Sequence, residues 1–417
     1  MRTSRLLPPS LLLALLALLG CGGEPPAPSS TPTARKDDPV RDSFPGRDPG
    51  LRWDGQGGLH VAYVEERPEG AAVVYRRLGS SPAGPFPVSP PGLKVSAHGE
   101  TNPAVEVLPG GGLVVAYPVS LPGKWKGEIR VQRSDDAGRT WGEARLLHEP
   151  RDGSHSYLSS ALTPTGSVVF AWLDNRSGHM GLQTAATTDG RTFTAAQTVD
   201  PRTCECCGTA LLAGSQGGLW LAYRALGEGE VRDIRVLHAF GDGGFARSAM
   251  LSDDRWVLQG CPHTGARLTE DRDGKLWAAW FTAGGPEGPG VYVTASPDRG
   301  AAFAPRSPVA LGTTVKHPEI GTLPDGRVAV LYEDTGGSHP ILFRVRDPGS
   351  GTWSAPGTGA PQGVYPRLAA TAEQAAVAFT CRAEAGTRVV VTGWRAFEEG
   401  KMDWSGCIGE ALPEHRH

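Results

Sequence analysis

The sequence predicts an all-β fold: a β-propeller of four-stranded antiparallel blades, with seven units counted. Three observations predict it. One strand pattern recurs seven times. Each copy has shorter strands in its company. The chain also carries 57 glycines and 36 prolines, a heavy load of turn formers, while no intervening stretch sustains a 3.6-residue apolar period.

The chain opens with Arg2 and Arg5, then an almost pure Leu/Ala run from Leu11 to Leu19. That run is too short to anchor in a bilayer and reads as a secretory signal. It ends in Leu18-Leu19-Gly20-Cys21, which resembles the bacterial lipobox. The resemblance implies a signal peptide over 1–21, lipidation of Cys21 and a membrane anchor without a transmembrane helix. Gly22 follows, not an Asp, which by resemblance to the sorting rule points to the outer membrane. Residues 22–49 are Pro, Ser, Thr, Gly and charge, and are expected to be a disordered tether. Residues 50–398 are assigned to the propeller and 399–417 to a C-terminal tail. With 41 basic and 44 acidic side chains, charge gives no argument for nucleic acid.

The recurring pattern is an apolar run rich in Val, Ala, Tyr and Trp after a Gly turn. The copies are GGLHVAYV, GGLVVAYP, GSVVFAWL, GGLWLAYR, GKLWAAWF, GRVAVLYE and QAAVAFTC. Their starts, at 57, 111, 166, 217, 274, 326 and 374, lie 48 to 57 residues apart. Before them come strands such as NPAVEVL, YLSSALT, GTALLA, PEIGTL and YPRLAA. After them come AVVYRRL, EIRVQRS, GLQTAAT, DIRVLHA, GVYVTAS, ILFRVRD and RVVVTGW. A weaker fourth strand, such as ARLL or QTV, usually follows. Four strands per unit at this spacing is a propeller signature.

A second motif sits between the third and fourth strands. SDDAGRTW supplies Ser134, Asp136, Gly138, Thr140 and Trp141; SPDRGAAF supplies Ser296, Asp298, Gly300 and Phe303. TTDGRTF and DPGSGTW are weaker echoes. These turns resemble the Asp-box, or BNR repeat, of sialidase-like propellers. The Asp accepts backbone N–H groups, the Gly supplies a positive φ and the aromatic packs between blades. Sialidases of that family have six blades, so a six-bladed closure is the alternative. Seven is favoured because the first unit carries three strands of its own.

In a propeller the first strand of each blade lines the axis, and its first residues crowd one mouth, where ligands bind. Those starts read His98-Gly-Glu100-Thr-Asn102, His155-Ser-Tyr157, Cys204-Glu-Cys206-Cys207, Cys261-Pro-His263, His317-Pro-Glu319 and Tyr365-Pro-Arg367. Two chemistries fit the cysteines. An oxidising envelope favours disulfides, with Cys381 and Cys407 making a separate clasp for the tail. Alternatively Cys204, Cys206, Cys207 and Cys261, with His263, His317 and His98, form a metal site suited to copper(I) or zinc. His155 reads as a hydrogen-bonded surface residue, and His415 and His417 as solvated tail.

The sialidase resemblance implies three arginines for a substrate carboxylate, a Tyr nucleophile with a Glu, and an Asp acid. Arg47 is followed by Asp48 where the family pattern has Ile-Pro. Tyr365, Arg367 and Glu319 are the candidates that could face the axis, whereas Arg176, Arg224 and Arg232 are expected on solvated loops. Asp174, Glu333 and Asp334 end second strands over the mouth. The set cannot be completed residue by residue. The expected function is non-catalytic binding of a metal, or of an extracellular glycan or protein. The alternatives are an exo-α-sialidase or a disulfide-held envelope scaffold.

Overall fold

Each second strand is apolar on both sides because it is covered on both sides. In the first blade Leu59, Val61 and Tyr63 enter one apolar cluster and Ala62 and Val64 enter another. In the third, Val168, Phe170 and Trp172 go one way and Ala171 and Leu173 the other. Successive side chains of a strand point to opposite faces. A strand sandwiched between neighbouring blades therefore loses the polar half of its alternation. Seven such clusters result, one at each junction between adjacent blades. Complete burial of each large apolar side chain is worth roughly 1.5–3 kcal/mol, so the junctions supply the main apolar driving force.

The computed structural model describes residues 40–150, 152–240, 244–245, 247–402 and 406–408. The expected signal peptide, its Cys21, residues 22–39 of the tether, and His415 and His417 lie outside the described residues. The described chain forms seven four-stranded antiparallel sheets. Their second strands are Gly58–Arg67, Leu113–Ser120, Val168–Asp174, Gly218–Arg224, Leu276–Thr282, Val328–Asp334 and Ala375–Ala383. All seven repeat copies lie on these strands. The first strands are Arg47–Trp53, Ala104–Val107, His155–Leu162, Ala210–Ala213, Arg267–Glu270, Val315–Thr322 and Val364–Ala370. They touch one another in cyclic order, the last against the first. The fold is a seven-bladed propeller; six-bladed closure does not occur.

The ring closes through its ends. Arg41–Pro45 pairs with Gly386–Gly393 as the edge strand of blade seven, Arg41 opposite Thr392 and Pro45 opposite Arg388. One residue later Arg47 begins the innermost strand of blade one. The propeller therefore starts by Val40, and the boundary expected at 49/50 falls inside it. RDSFP looked like tether because an edge strand buries one face only. Its Phe44 meets Tyr63 with ring centroids 4.6 Å apart. At the other end, the helix Trp394–Glu398 packs on blade seven. The Cys381–Cys407 disulfide forms, with Cα atoms 5.8 Å apart.

The motif turns sit between third and fourth strands. Thr140 N–H donates to Asp136 Oδ1 at 2.9 Å, and Gly138 N–H to Ser134 Oγ at 2.9 Å. Gly138 adopts φ +86°, and a Cβ there would lie 2.1 Å from the Tyr75 ring. Trp141 meets that same ring edge-on at 5.6 Å. Asp298 likewise accepts from Ala302 N–H at 2.9 Å, and Phe303 packs into the junction between blades four and five.

Candidate functional site

Register places one residue of each first strand at a common level. Gly50, Ala104, Ser159, Ala210, Arg267, Glu319 and Arg367 pair with equivalent residues of the seven second strands. Four of the residues are small. The charged three form a chain, with Glu319 Oε2 3.4 Å from Arg267 Nε and 3.6 Å from Arg367 Nη1. Two positions earlier Asp48, Tyr157, His317 and Tyr365 all take a left-handed φ of 48–57°. Each lies at a register shift in its strand. Such bulges redirect a strand at its end, and left-handed non-Gly residues cluster at functional sites.

Glu100 organises the mouth. Its Oε2 accepts from Gly208 N–H and from Gly265 N–H, both at 2.9 Å. Burial pushes this carboxyl up, but Arg267, His317, Arg367 and the Gly208 N–H outweigh it and hold it low. Glu319 behaves in the opposite way: burial dominates over Arg267 and Arg367 and raises it. One carboxylate therefore ties the segment after Cys207 to the segment after His263. These two segments come from different blades.

The cysteines follow from that tie. The sulfurs of Cys204, Cys206 and Cys207 lie within 4.8 Å of one another, and all three residues are buried. Cys206, Cys261 and His263 form a second set of donor atoms within the same limit. Cys261 is exposed. The structure brings together five of the seven residues expected to ligate metal. None of these four cysteines is bonded to another: the sulfurs of Cys204 and Cys207, for example, lie 3.5 Å apart, far beyond the about 2.05 Å of a disulfide.

His98 and His317 fall in neither donor set. His98 lies edge-on to Tyr157 at 5.8 Å. His317 is held on both ring nitrogens, Nδ1 against the Glu333 carboxylate and Nε2 donating to the His263 carbonyl at 3.1 Å. It therefore positions the His263 backbone, and ligation would cost it one of those bonds. His155, expected at the surface, is 2% exposed and stacks on His148 at 3.8 Å.

Two arginines expected in solvent are buried near the cysteines instead, Arg232 in contact with a sulfur. Arg224 is 1% exposed and donates to the carbonyls of Arg232, Thr264 and Phe281 at 2.8–2.9 Å. Arg232 Nη1 lies 3.2 Å from Cys204 Sγ, and its Nη2 binds Glu230. They are buried because carbonyls converging at the mouth need donors. Hydrogen bonds from the Cys206 and Cys207 thiols, aided by Arg224, pull the Cys204 thiol down. Burial pushes Cys207 up. Tyr157, raised by burial and the adjacent thiols, stays a phenol. Arg176 is likewise engaged, 2.7 Å from buried Asp174.

Tyr365, Arg367 and Glu319 do share the axis. Tyr365 packs on His317 at 4.4 Å and donates its N–H to Glu333 at 3.2 Å. Arg367 also donates to Asn102 Oδ1 at 2.9 Å. Sequence reasoning missed Arg267 and the role of Glu100. Arg267 was within reach, because ARLTE and PRLAA put Arg267 and Arg367 at the same repeat position.

No family model matches the chain, and no curated protein matches it. Among solved structures, an ulvan lyase, a polysaccharide lyase, superposes with a TM-score of 0.56 at 12% identity, over 84% of this chain and 96% of its own. A second structure of such a lyase, with bound saccharide, gives 0.56 and 12% over 85% and 96%. The intramolecular trans-sialidase from Ruminococcus gnavus gives 0.44 and 13% over 85% and 95%. The likeness is one of fold, and a propeller does not carry its chemistry with it.

Proposed function

We propose that the protein is a cell-envelope lipoprotein, lipidated at Cys21 and held at the outer membrane, whose propeller binds a thiophilic metal at the axial mouth. Copper(I) is the preferred ion and zinc(II) the second. Cys204, Cys206, Cys207, Cys261 and His263 are the ligands. One observation carries the reading: blades four and five converge so that four thiols and an imidazole meet, with Arg232 against a sulfur. Thiolate and imidazole donors select soft or borderline ions, and buried guanidiniums favour the thiolates that such ions require.

Sialidase chemistry is the weaker reading. A carboxylate-binding site needs uncommitted guanidiniums, and Arg267 and Arg367 are committed to Glu319. A glycan or protein ligand remains the alternative for the same mouth. Elemental analysis of the purified chain, reduced and unreduced, tests the proposal together with thiol alkylation and mass measurement. Stoichiometric copper or zinc with four alkylatable thiols upholds it. A metal-free chain with those cysteines paired replaces it with the disulfide scaffold. Hydrolysis of a fluorogenic sialoside, abolished by Tyr365→Phe or Arg367→Met, replaces it with the enzyme.

A further inference from the structure

The metal reading leaves open how five donors are shared out. We propose, resting on that reading, that the mouth holds two copper(I) positions bridged by the thiolate of Cys206. The inner position uses Cys204, Cys206 and Cys207; the outer uses Cys206, Cys261 and His263.

The donor geometry divides in this way. Ligands of one ion, each about 2.0–2.3 Å from it, lie at most about 4.6 Å apart. Each of the two sets lies within 4.8 Å, and no set among the described residues contains all five donors. Cys206 alone belongs to both. A thiolate sulfur has the lone pairs to bind two soft ions at once. One ion can satisfy either set but not both, and leaves two donors idle in either case.

Burial divides the same way. Cys204, Cys206 and Cys207 are between 1% and 3% exposed, whereas Cys261 is open to solvent. An ion arrives at the outer position and reaches the sealed one by ligand exchange on Cys206, with no redox step.

Charge selects a monovalent ion. Four thiolates and two copper(I) ions leave two negative charges. Arg224 and Arg232 supply two positive ones, although Glu230 shares Arg232 at the solvent edge. Two zinc(II) ions would neutralise the thiolates and leave Asp233 to offset buried Arg224 without their help, a less favourable balance.

The test is a titration of the full chain, reduced and anaerobic, with copper(I) against a chromogenic copper(I) chelator. Two ions per chain are expected. Cys261→Ser and His263→Ala should each reduce this to one, with the affinity of the remaining ion unchanged. X-ray absorption of the loaded wild type should show a copper–copper shell that Cys206→Ser removes. One ion in the wild type, or two retained in both outer variants, overturns the bridged pair while leaving the metal reading intact. No copper retained at all overturns both. Cys261 is exposed, so its variant should fold, as circular dichroism would verify; the wild-type stoichiometry needs no variant.

Discussion

The carbonyl of Gly208 and the α-carbon of Gly265 are in backbone contact: a Cβ at 265 would lie 2.3 Å from the Gly208 oxygen. This packing sets the cysteines of blade four beside Cys261 and His263. Because the obstruction is backbone, a side chain at 265 can be relieved only by parting the segments. Gly265→Ala should lower stability by about 1–3 kcal/mol and weaken copper binding at the Cys261–His263 side first. Urea unfolding and the copper(I) titration measure the two effects. Unchanged values for both would show that the contact is not what holds the donors together.

Arg232→Met keeps most of the side-chain volume and deletes the guanidinium beside Cys204. A hydrogen bond to a charged partner is worth about 1.5–3 kcal/mol. Copper(I) affinity should therefore fall about 10- to 100-fold. Competition against a chelator gives the number, and wild-type affinity in this variant would mean that Arg232 is only a structural donor.

The His148–His155 stack makes the fold acid-sensitive. His148 accepts from Ile129 N–H at Nε2 (3.3 Å) and donates from Nδ1 to its own neighbour, the Glu149 carbonyl (2.9 Å). Only the neutral ring does both. Burial, then the adjacent His155, push it down to about 4. A group depressed on folding contributes stability above its unfolded pKa and loses it as pH falls through the folded value. Stability should fall between about pH 6.5 and 4, by on the order of 3 kcal/mol. Glutamine at 148 keeps an acceptor and does not titrate, so His148→Gln should flatten the slope of unfolding free energy against pH. Parallel slopes for the two proteins would exclude the stack as the cause.

Glu100 is buried in the field of Arg267 and Arg367 and holds two blades by their N–H groups. Glu100→Gln keeps an acceptor but removes the buried charge that offsets Arg267, His317 and Arg367. Breaking a buried charge arrangement costs about 3–5 kcal/mol. Thermal unfolding would register it, and a neutral effect would show that the backbone bonds alone hold the mouth.

The Cys381–Cys407 bond, which spans 26 residues, should contribute about 3–4 kcal/mol on chain-entropy grounds. Phe44→Ala, in the closing strand, should cost about 3–5 kcal/mol. Denaturant unfolding of Cys407→Ser and of Phe44→Ala gives both values. If neither differs from wild type, the closing strand and clasp are ornaments on a ring stable without them.

The blades were legible because their second strands are covered on both faces and write a nearly continuous apolar run. Blade five's first strand escaped notice: RLTE has one apolar side chain in four, since one residue pairs with Glu319 and others line a polar axis. RDSFP escaped for a similar reason, with Phe44 its one large apolar residue. CECC stood out because cysteines are scarce. Arg224 and Arg232 were misplaced because residue type argues for solvent, and the carbonyls and sulfur that hold them come from distant segments. Glu100 meets Gly265 across 165 residues, a separation that no local pattern encodes.

The strand Arg41–Pro45 is synthesised before any other strand of the propeller, yet its partner, Gly386–Gly393, emerges almost last. The segment must wait, without that partner, while the strands between them are made. Its short length, its proline and its charged first residues suit it to that interval, because they make it a poor template for a stranger's sheet. Synthesis and circularisation are thus coupled: the ring cannot lock until its last blade has been made.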